Sequence, residues 1–302
     1  MRRQRRGNPG CGLRFPARFA RGLLALGAGL WLTALPAAAV LFYSTGDPTY
    51  NTTAPAKTLA NSGWQYQGAW AGFSGTVISP NCFITAKHVG GAVGGVFRFQ
   101  GTDYRAVAAH PDPNSDLCIW QVAGQFPIYA PLYTKSNEPG KGLVVIGRGT
   151  QRGAQLRVNG RLKGWLWGPQ DGVQRWGQNK VAGLADGGAG LGSLLCAAFN
   201  PGGRNQATLS VGDSGGAVFI KDGRVYRLAG INQGVDGPYK LANSPDGFNA
   251  SVFDQRGLYI RSGSTNWIPV PTQTGRVAGN FYATRISSHL AWINQVLATP
   301  AP

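Results

Sequence analysis

From Trp64 onward the chain is cut into short apolar runs by turn residues, and this punctuation limits the folds open to it. The runs include Trp64–Trp70, Phe73–Ser79, Cys82–Ala86, Val96–Phe99, Tyr104–Ala109 and Leu117–Val122. Turns such as Ser79-Pro80-Asn81 and Pro111-Asp112-Pro113-Asn114 separate them, the grammar of a β-meander. The 46 glycines follow no three-residue period, which excludes a collagen-like chain. With 43% hydrophobic and 14% charged residues, the chain can bury a large core under a lightly charged surface. No repeat of solenoid or propeller length is visible. An all-β sandwich or barrel is expected.

A second strand series begins at Gly142–Ile146 and continues through Leu156–Val158, Gly164–Trp167, Ala217–Ile220 and Tyr226–Ile231. Gly183–Gly203 reads as a Gly-rich loop, and Asp236–Pro271 as a polar insertion too long for a hairpin turn. Leu290, Ile293 and Leu297 fall at helical spacing behind Ser287 and Ser288, so an amphipathic helix capped by a serine is expected over 287–298.

The N-terminus has a different character. Residues 1–39 hold seven arginines (2, 3, 5, 6, 14, 18 and 21) and no acid, then the apolar run Gly22–Leu35 and Pro36-Ala37-Ala38-Ala39. That pattern is a secretory leader cut after Ala39, although an uncleaved anchor stays open because Gly22–Tyr43 is uncharged and long enough to span a bilayer. Export to the periplasm or the extracellular space follows, without stable membrane association once the leader is cut. The formal charge then drops from +17 by seven arginines to +10. Its basic residues are scattered, and no nucleic-acid partner is expected. Cys82, Cys118 and Cys196 remain; an odd count argues against a disulfide framework, and Cys82 and Cys118 read as small buried residues or a possible pair.

Three segments carry chemistry. Gly212-Asp213-Ser214-Gly215-Gly216 puts a serine in a glycine-rich turn that can aim neighbouring N–H groups at one point, immediately before Ala217–Ile220. A serine hydroxyl needs a base, and the candidate is His88 in Thr85-Ala86-Lys87-His88-Val89, one of three histidines. Asp116, opening the apolar run Leu117–Trp120, can orient an imidazole as a buried carboxylate. Each has a plainer reading: a turn serine, a structural histidine, a solvated strand end.

Taken together, the order His88–Asp116–Ser214, with gaps of 28 and 98 residues, resembles the chymotrypsin/trypsin family of serine proteases. Ser74–Ser79 is similar to that family's G-S-L-I-S strand and Phe83–His88 to its V-V-T-A-A-H segment. His110-Pro111…Asp116-Leu117 looks like H-P…D-I-A-L, and Phe281–Ile286 like the Y-T-R-V segment before the closing helix. The likeness covers residues 64–298, with a vague middle. It implies two antiparallel six-stranded β-barrels, about 64–140 and 141–285, behind an N-terminal arm at 40–63 and ahead of the C-terminal helix. It also implies a serine endopeptidase acting on protein or peptide substrates, with an oxyanion hole at the Gly212 and Ser214 amides and no cofactor or metal.

Departures from the family pattern set further expectations. Val89 stands where the family has a cysteine, and Lys87 where it has a small residue. No I-V-G-G-like start lies near residue 40, so the family's switch, in which a new N-terminal amine pairs with the aspartate before the serine, is not expected. Asp213 should have another partner, or the site should form without processing. The pocket-base position is Thr208, with Gly234 and Asn280 as wall candidates, which points away from Lys or Arg and towards uncharged side chains. Trp165, Trp167 and Trp176 among basic residues suit barrel packing better than a carbohydrate or nucleic-acid platform. Two rivals stay open: a secreted binding domain on the same fold without useful catalysis, and an esterase. The oligomeric state is not legible.

Overall fold

The computed structural model describes residues 40–262, 266–273 and 275–300; the expected leader, 1–39 with Cys11, lies outside them. Six strands, Gln67–Trp70, Phe73–Ser79, Cys82–Ala86, Val96–Phe99, Thr102–Pro111 and Leu117–Val122, close into an antiparallel barrel. Strand alternation fills it: Phe97 and Phe99 point inward and are buried, while Val96 and Arg98, alternating with them, are exposed. Phe83 stacks on Phe97 at 3.9 Å between ring centroids, and Trp70 meets Trp120 at 4.7 Å. Gly68 makes room for these rings, because a Cβ there would come within 2.3 Å of Phe97.

The second unit is built on one antiparallel sheet. Its main sheet runs in the order Arg175–Lys180, Gly142–Gly147, Ala217–Asp222, Val225–Val235, Asn280–Arg285, Ser193–Ala198, Gly183–Asp186; the first and last of these follow one another in the chain through Val181-Ala182, whose N–H groups donate to the Lys141 and Cys196 carbonyls, so the sheet comes round on itself with six strand positions. The two faces of one strand show how the halves are joined. Leu143 and Val145 enter the core of the second unit with Val218, Ile220, Leu195 and Phe281. Val144 and Ile146 face the other way, into a cluster with Ile84, Leu117 and Ile119 of the barrel and Ile293 of the terminal helix.

Three segments read from sequence as loops or short strands carry more structure than expected. Gly183–Gly203 contains two strands of the main sheet, Gly183–Asp186 and Ser193–Ala198. Leu156–Val158 and Gly164–Trp167 are parts of one long bulged hairpin, Thr150–Val158 with Arg161–Gln170. The insertion 236–271 adds Ala250–Val252 to that hairpin and forms its own three-stranded sheet, Tyr239–Lys240, Tyr259–Ser262 and Asn266–Pro269. These strands are short, polar and bulged, so they lack the unbroken alternation that marks a strand in sequence.

The tryptophans serve packing. Trp165 is buried in a cluster with Tyr43, Phe199 and Phe253, and Arg152 lies 4.3 Å above its ring. Trp176 is buried and donates to the Thr53 carbonyl at 2.9 Å. Trp167, half-buried, donates to Ser251 Oγ at 3.2 Å.

The arm is fastened rather than loose: Leu41–Phe42 pairs with Ala207–Thr208, and Val40, Leu41 and Phe42 are all buried. The C-terminal helix runs Leu290–Leu297 after a 3-10 turn at Ile286–Ser288. Its N-cap is His289, without a side-chain cap bond, and not a serine. Ile293 and Val296 are its buried residues, with Leu290 and Leu297 packed at the margin. Cys82, Cys118 and Cys196 are free thiols, and burial pushes Cys118 up to about 12, which keeps it unreactive. Among the described residues no helix is long and apolar enough to cross a membrane.

Candidate active site

The three chemistry-bearing segments meet where the barrel faces the main sheet. The strand Cys82–Ala86 ends in a one-turn 3-10 helix, Lys87–Val89, which lifts His88 to the surface. Asp116 directly precedes Leu117–Val122, the neighbouring strand, so the Ala86–Leu117 register sets aspartate beside histidine. The Asp116 carbonyl accepts from Lys87 N at 2.8 Å, and its Oδ1 accepts from the His88 backbone N–H at 2.9 Å. Its Oδ2 lies 2.5 Å from His88 Nδ1, and His88 Nε2 lies 2.8 Å from Ser214 Oγ. Asp116 is 5% exposed at its side chain and His88 42%, so the carboxylate is sheltered and the imidazole open to an incoming molecule.

Ser214 sits in a turn that only glycine could build. Gly212 and Gly215 have φ of +91° and +72°, in the left-handed region that β-carbons disfavour. A Cβ on Gly215 would lie 2.1 Å from Thr85 Oγ1 and 2.4 Å from the Ser74 carbonyl, two barrel atoms already joined by a 2.7 Å hydrogen bond. Gly215→Ala is therefore expected to force the halves apart, destabilise the fold by at least about 2 kcal/mol and slow any reaction at Ser214. A melting curve beside a rate measurement checks this; an unchanged melting temperature would refute it.

Asn232 holds the turn from behind. Its Nδ2 donates to the Ile146 and Asp213 carbonyls at 2.9 and 3.1 Å, and its backbone exchanges bonds with Gly215 and Gly216. The backbone N–H groups of Gly212 and Ser214 donate to no acceptor among the described residues. Two unspent donors beside a serine oxygen are what a developing oxyanion requires.

Asp213 points away from the solvent and is fully buried. Its Oδ1 accepts from Gly149 N at 2.8 Å and from Val40 N at 3.3 Å, and its Oδ2 from Ser210 N at 2.8 Å and Ser210 Oγ at 3.2 Å. Among the described residues its partners are thus backbone N–H groups and the Ser210 hydroxyl, one of them at Val40. Val40-Leu41 reaches Asp213 because Leu41–Phe42 adds to Ala207–Thr208, just upstream of the serine turn. Burial pushes the Asp213 carboxyl up to about 6, against the pull of its hydrogen bonds.

Of the pocket candidates, Thr208 and Asn280 line one small cavity with Phe199, Asp236, Tyr239 and Ser251, while Gly234 is not part of its lining. The cavity measures about 10 Å³. Asp236, missed in the sequence, is held by neutral donors only: Gln255 Nε2 and Asn280 N and Nδ2 on Oδ2, and the Tyr282 hydroxyl on Oδ1 at 2.8 Å. Lys87 is half-buried and donates to the Asp112 carbonyl at 2.8 Å. Asp112 in turn meets His289 Nδ1 at 2.9 Å, tying the terminal helix to the turn that carries Asp116. Burial holds His289 below the usual histidine range despite that carboxylate. Among the described residues no group of His, Cys, Asp and Glu side chains is placed to hold a metal.

Comparison with known proteins extends the geometry. A solved structure of neuropsin, a serine protease expressed in the limbic system of mouse brain, is similar at 14% identity and a TM-score of 0.48, covering 78% of this chain and 96% of that one. No curated protein matches the sequence. The family of trypsin-like peptidase domains matches residues 73–226, a span that holds all of His88, Asp116 and Ser214. That match takes in half of the chain, and the protein belongs to the family of trypsin-like peptidase domains.

Proposed function

We propose that the chain is an exported serine endopeptidase that cleaves peptide bonds through an acyl-enzyme at Ser214. The observation that carries this reading is the His88 ring bridging Asp116 and Ser214 at 2.5 and 2.8 Å. His88 Nε2 takes the Ser214 proton as Oγ attacks the carbonyl, and Asp116 holds Nδ1–H and stabilises the imidazolium. The Gly212 and Ser214 amides receive the oxyanion. His88 then passes its proton to the leaving amine, and water, deprotonated by the same ring, releases the acyl group.

Small uncharged side chains next to the cleaved bond suit the pocket. Thr208 offers no charge, and the Asp236 oxygens are already occupied by neutral donors. A fluorophosphonate probe tests the chemistry: the wild type is labelled and Ser214→Ala is not. Absence of labelling after leader removal overturns the enzyme reading in favour of a binding domain. Labelling with turnover of esters but no peptide overturns the peptidase reading in favour of an esterase.

A further inference from the structure

We propose that the groove between the tip of the hairpin 150–170 and the insertion 236–271 docks an acidic segment of the protein substrate, far from Ser214. This rests on the endopeptidase reading above and names what its substrates carry besides a cleavable bond.

Two depressions open side by side there, with Val158, Asn159 and Thr272 common to both. The tip itself is the two-residue turn Asn159-Gly160, with φ of +48° and +73°. Arg157 steadies it, donating from Nη1 to the Gly160 carbonyl at 2.7 Å. The smaller depression, about 400 Å³, is lined by Arg161, Lys163 and Arg256. The larger, about 560 Å³, adds Arg157 and the apolar surface of Leu241, Tyr259 and Val270. Among the described residues no aspartate or glutamate lines either one. One carboxylate, Asp254, touches two of the four cations, accepting from Lys163 Nζ and from Arg256 Nε at 2.8 Å each. Burial alone would raise the Asp254 carboxyl, but the hydrogen bonds from Arg256 and Lys163 hold it below the ordinary carboxylate range. It stays ionised, offsets one positive charge and leaves the groove basic.

Lys163 sets this groove apart from a solvated basic face. Its side chain is 8% exposed, and its carboxylate partner is shared with a guanidinium. A buried ammonium in that position favours a further anion beside it. Arg161, exposed on the open side, has no side-chain hydrogen bond or ion pair among the described residues. The mixed lining selects the occupant. A polyphosphate would meet the cations and leave the apolar half unfilled. A bilayer is flat and cannot enter a concave groove. A polypeptide that alternates acidic and apolar side chains satisfies both halves.

One hairpin ties the groove to the chemistry. At its base Gly149 N donates to Asp213 Oδ1 and Thr150 N to Ser210 Oγ, at 2.8 Å each. Val158 closes the strand Thr150–Val158 at its far end, roughly 25 Å away at the usual rise per residue. A substrate held at both places is bivalent, and its docked segment raises the local concentration of its scissile bond. The docking contacts are equal in ground and transition state, so they lower KM and leave kcat unchanged.

Fluorescence anisotropy on the full chain carrying Ser214→Ala tests the docking. The probes are a short labelled peptide of alternating glutamate and leucine and its counterpart with glutamine for glutamate. The acidic peptide should bind and the glutamine peptide should not. Arg161→Glu should weaken binding roughly tenfold at low salt. Arg224→Glu makes the same charge change in the exposed turn after Ala217–Asp222 and should alter binding less than about twofold. Equal weakening by both variants overturns the proposal in favour of overall charge, and equal binding of both peptides overturns it outright. Arg161-dependent binding of polyphosphate or phosphatidylserine vesicles, with none of the peptide, overturns it in favour of those occupants. In the active chain, the acidic sequence is joined by a Gly/Ser linker to a peptide that the protein cleaves. KM should fall about tenfold with kcat unchanged, and Arg161→Glu should erase the difference. Docking without that fall overturns the substrate role. Loss of docking with fluorophosphonate labelling intact defeats this proposal alone, whereas docking in a chain that takes no label defeats the hydrolase reading instead.

Discussion

Asp116→Asn is expected to lower turnover about 10⁴-fold while leaving the fold almost untouched. The reason lies in which atoms the carboxylate serves. Oδ1 accepts the His88 backbone N–H and Oδ2 faces Nδ1, so both oxygens act only as acceptors. An asparagine must offer its NH₂ to one of them. With the amide oxygen on the backbone N–H, the NH₂ faces Nδ1 and makes it an acceptor. The ring proton then moves to Nε2, where the Ser214 proton should have been received. The opposite orientation places two donors against each other in a site whose carboxylate is 5% exposed. Neither arrangement leaves a competent base. The loss corresponds to about 5 kcal/mol of transition-state stabilisation. Single-turnover acylation beside a melting curve separates the effects: a rate loss below tenfold would remove Asp116 from the catalytic arrangement, and a large fall in melting temperature would make it a folding residue instead.

The meeting of His88, Asp116 and Ser214 was legible because each sits in a short, contiguous motif beside a strand. Gly212–Gly216 reads as a tight turn from its glycines alone, and the runs beside His88 and Asp116 are short and continuously apolar between turn residues, which marks them as buried strands. What the sequence hides are contacts between residues far apart in the chain with no motif of their own. Val40 reaches Asp213 through a two-residue strand pairing, too short to show any period. Asp236 gathers donors from Gln255, Asn280 and Tyr282, each unremarkable by itself. The hairpin 150–170 is interrupted by three register shifts, so its strands read as fragments. The insertion 236–271 carries edge strands two to four residues long amid Gly and Pro, below the length at which alternation can be recognised. The first barrel escapes these problems because its apolar runs are unbroken between turn residues and one of its strands, Val96–Phe99, alternates.

Glu138→Gln is expected to cost about 3 kcal/mol of stability at neutral pH, although Glu138 takes no part in the chemistry. It lies in the connection between the two halves and is fully buried. Arg285 Nε and Nη2 each donate to it at 2.8 Å, and Ser287 Oγ donates at 2.5 Å. Arg285 ends the strand paired with Val225–Val235, and Ser287 belongs to the turn before the terminal helix, so one carboxylate fastens the inter-unit connection, the main sheet and the helix entry together. Glutamine keeps the shape but turns one acceptor into a donor facing the guanidinium, and it strips a largely buried arginine of its counter-charge. For a domain of this size the loss corresponds to a fall of roughly 6–12 °C in melting temperature. The pH dependence follows from the direction of the shift. Burial alone would raise the Glu138 carboxyl, but the Arg285 and Ser287 hydrogen bonds and the guanidinium charge hold it below the ordinary glutamate range. The folded state therefore binds fewer protons than the unfolded chain. The stabilisation is fully present above the unfolded value and is lost as pH falls through the lower, folded one. The gap between wild type and Glu138→Gln should be widest near neutrality and should close in acid. Melting curves at a series of pH values test this, and a gap that stayed constant into acid would show that packing, not charge, makes Glu138 matter.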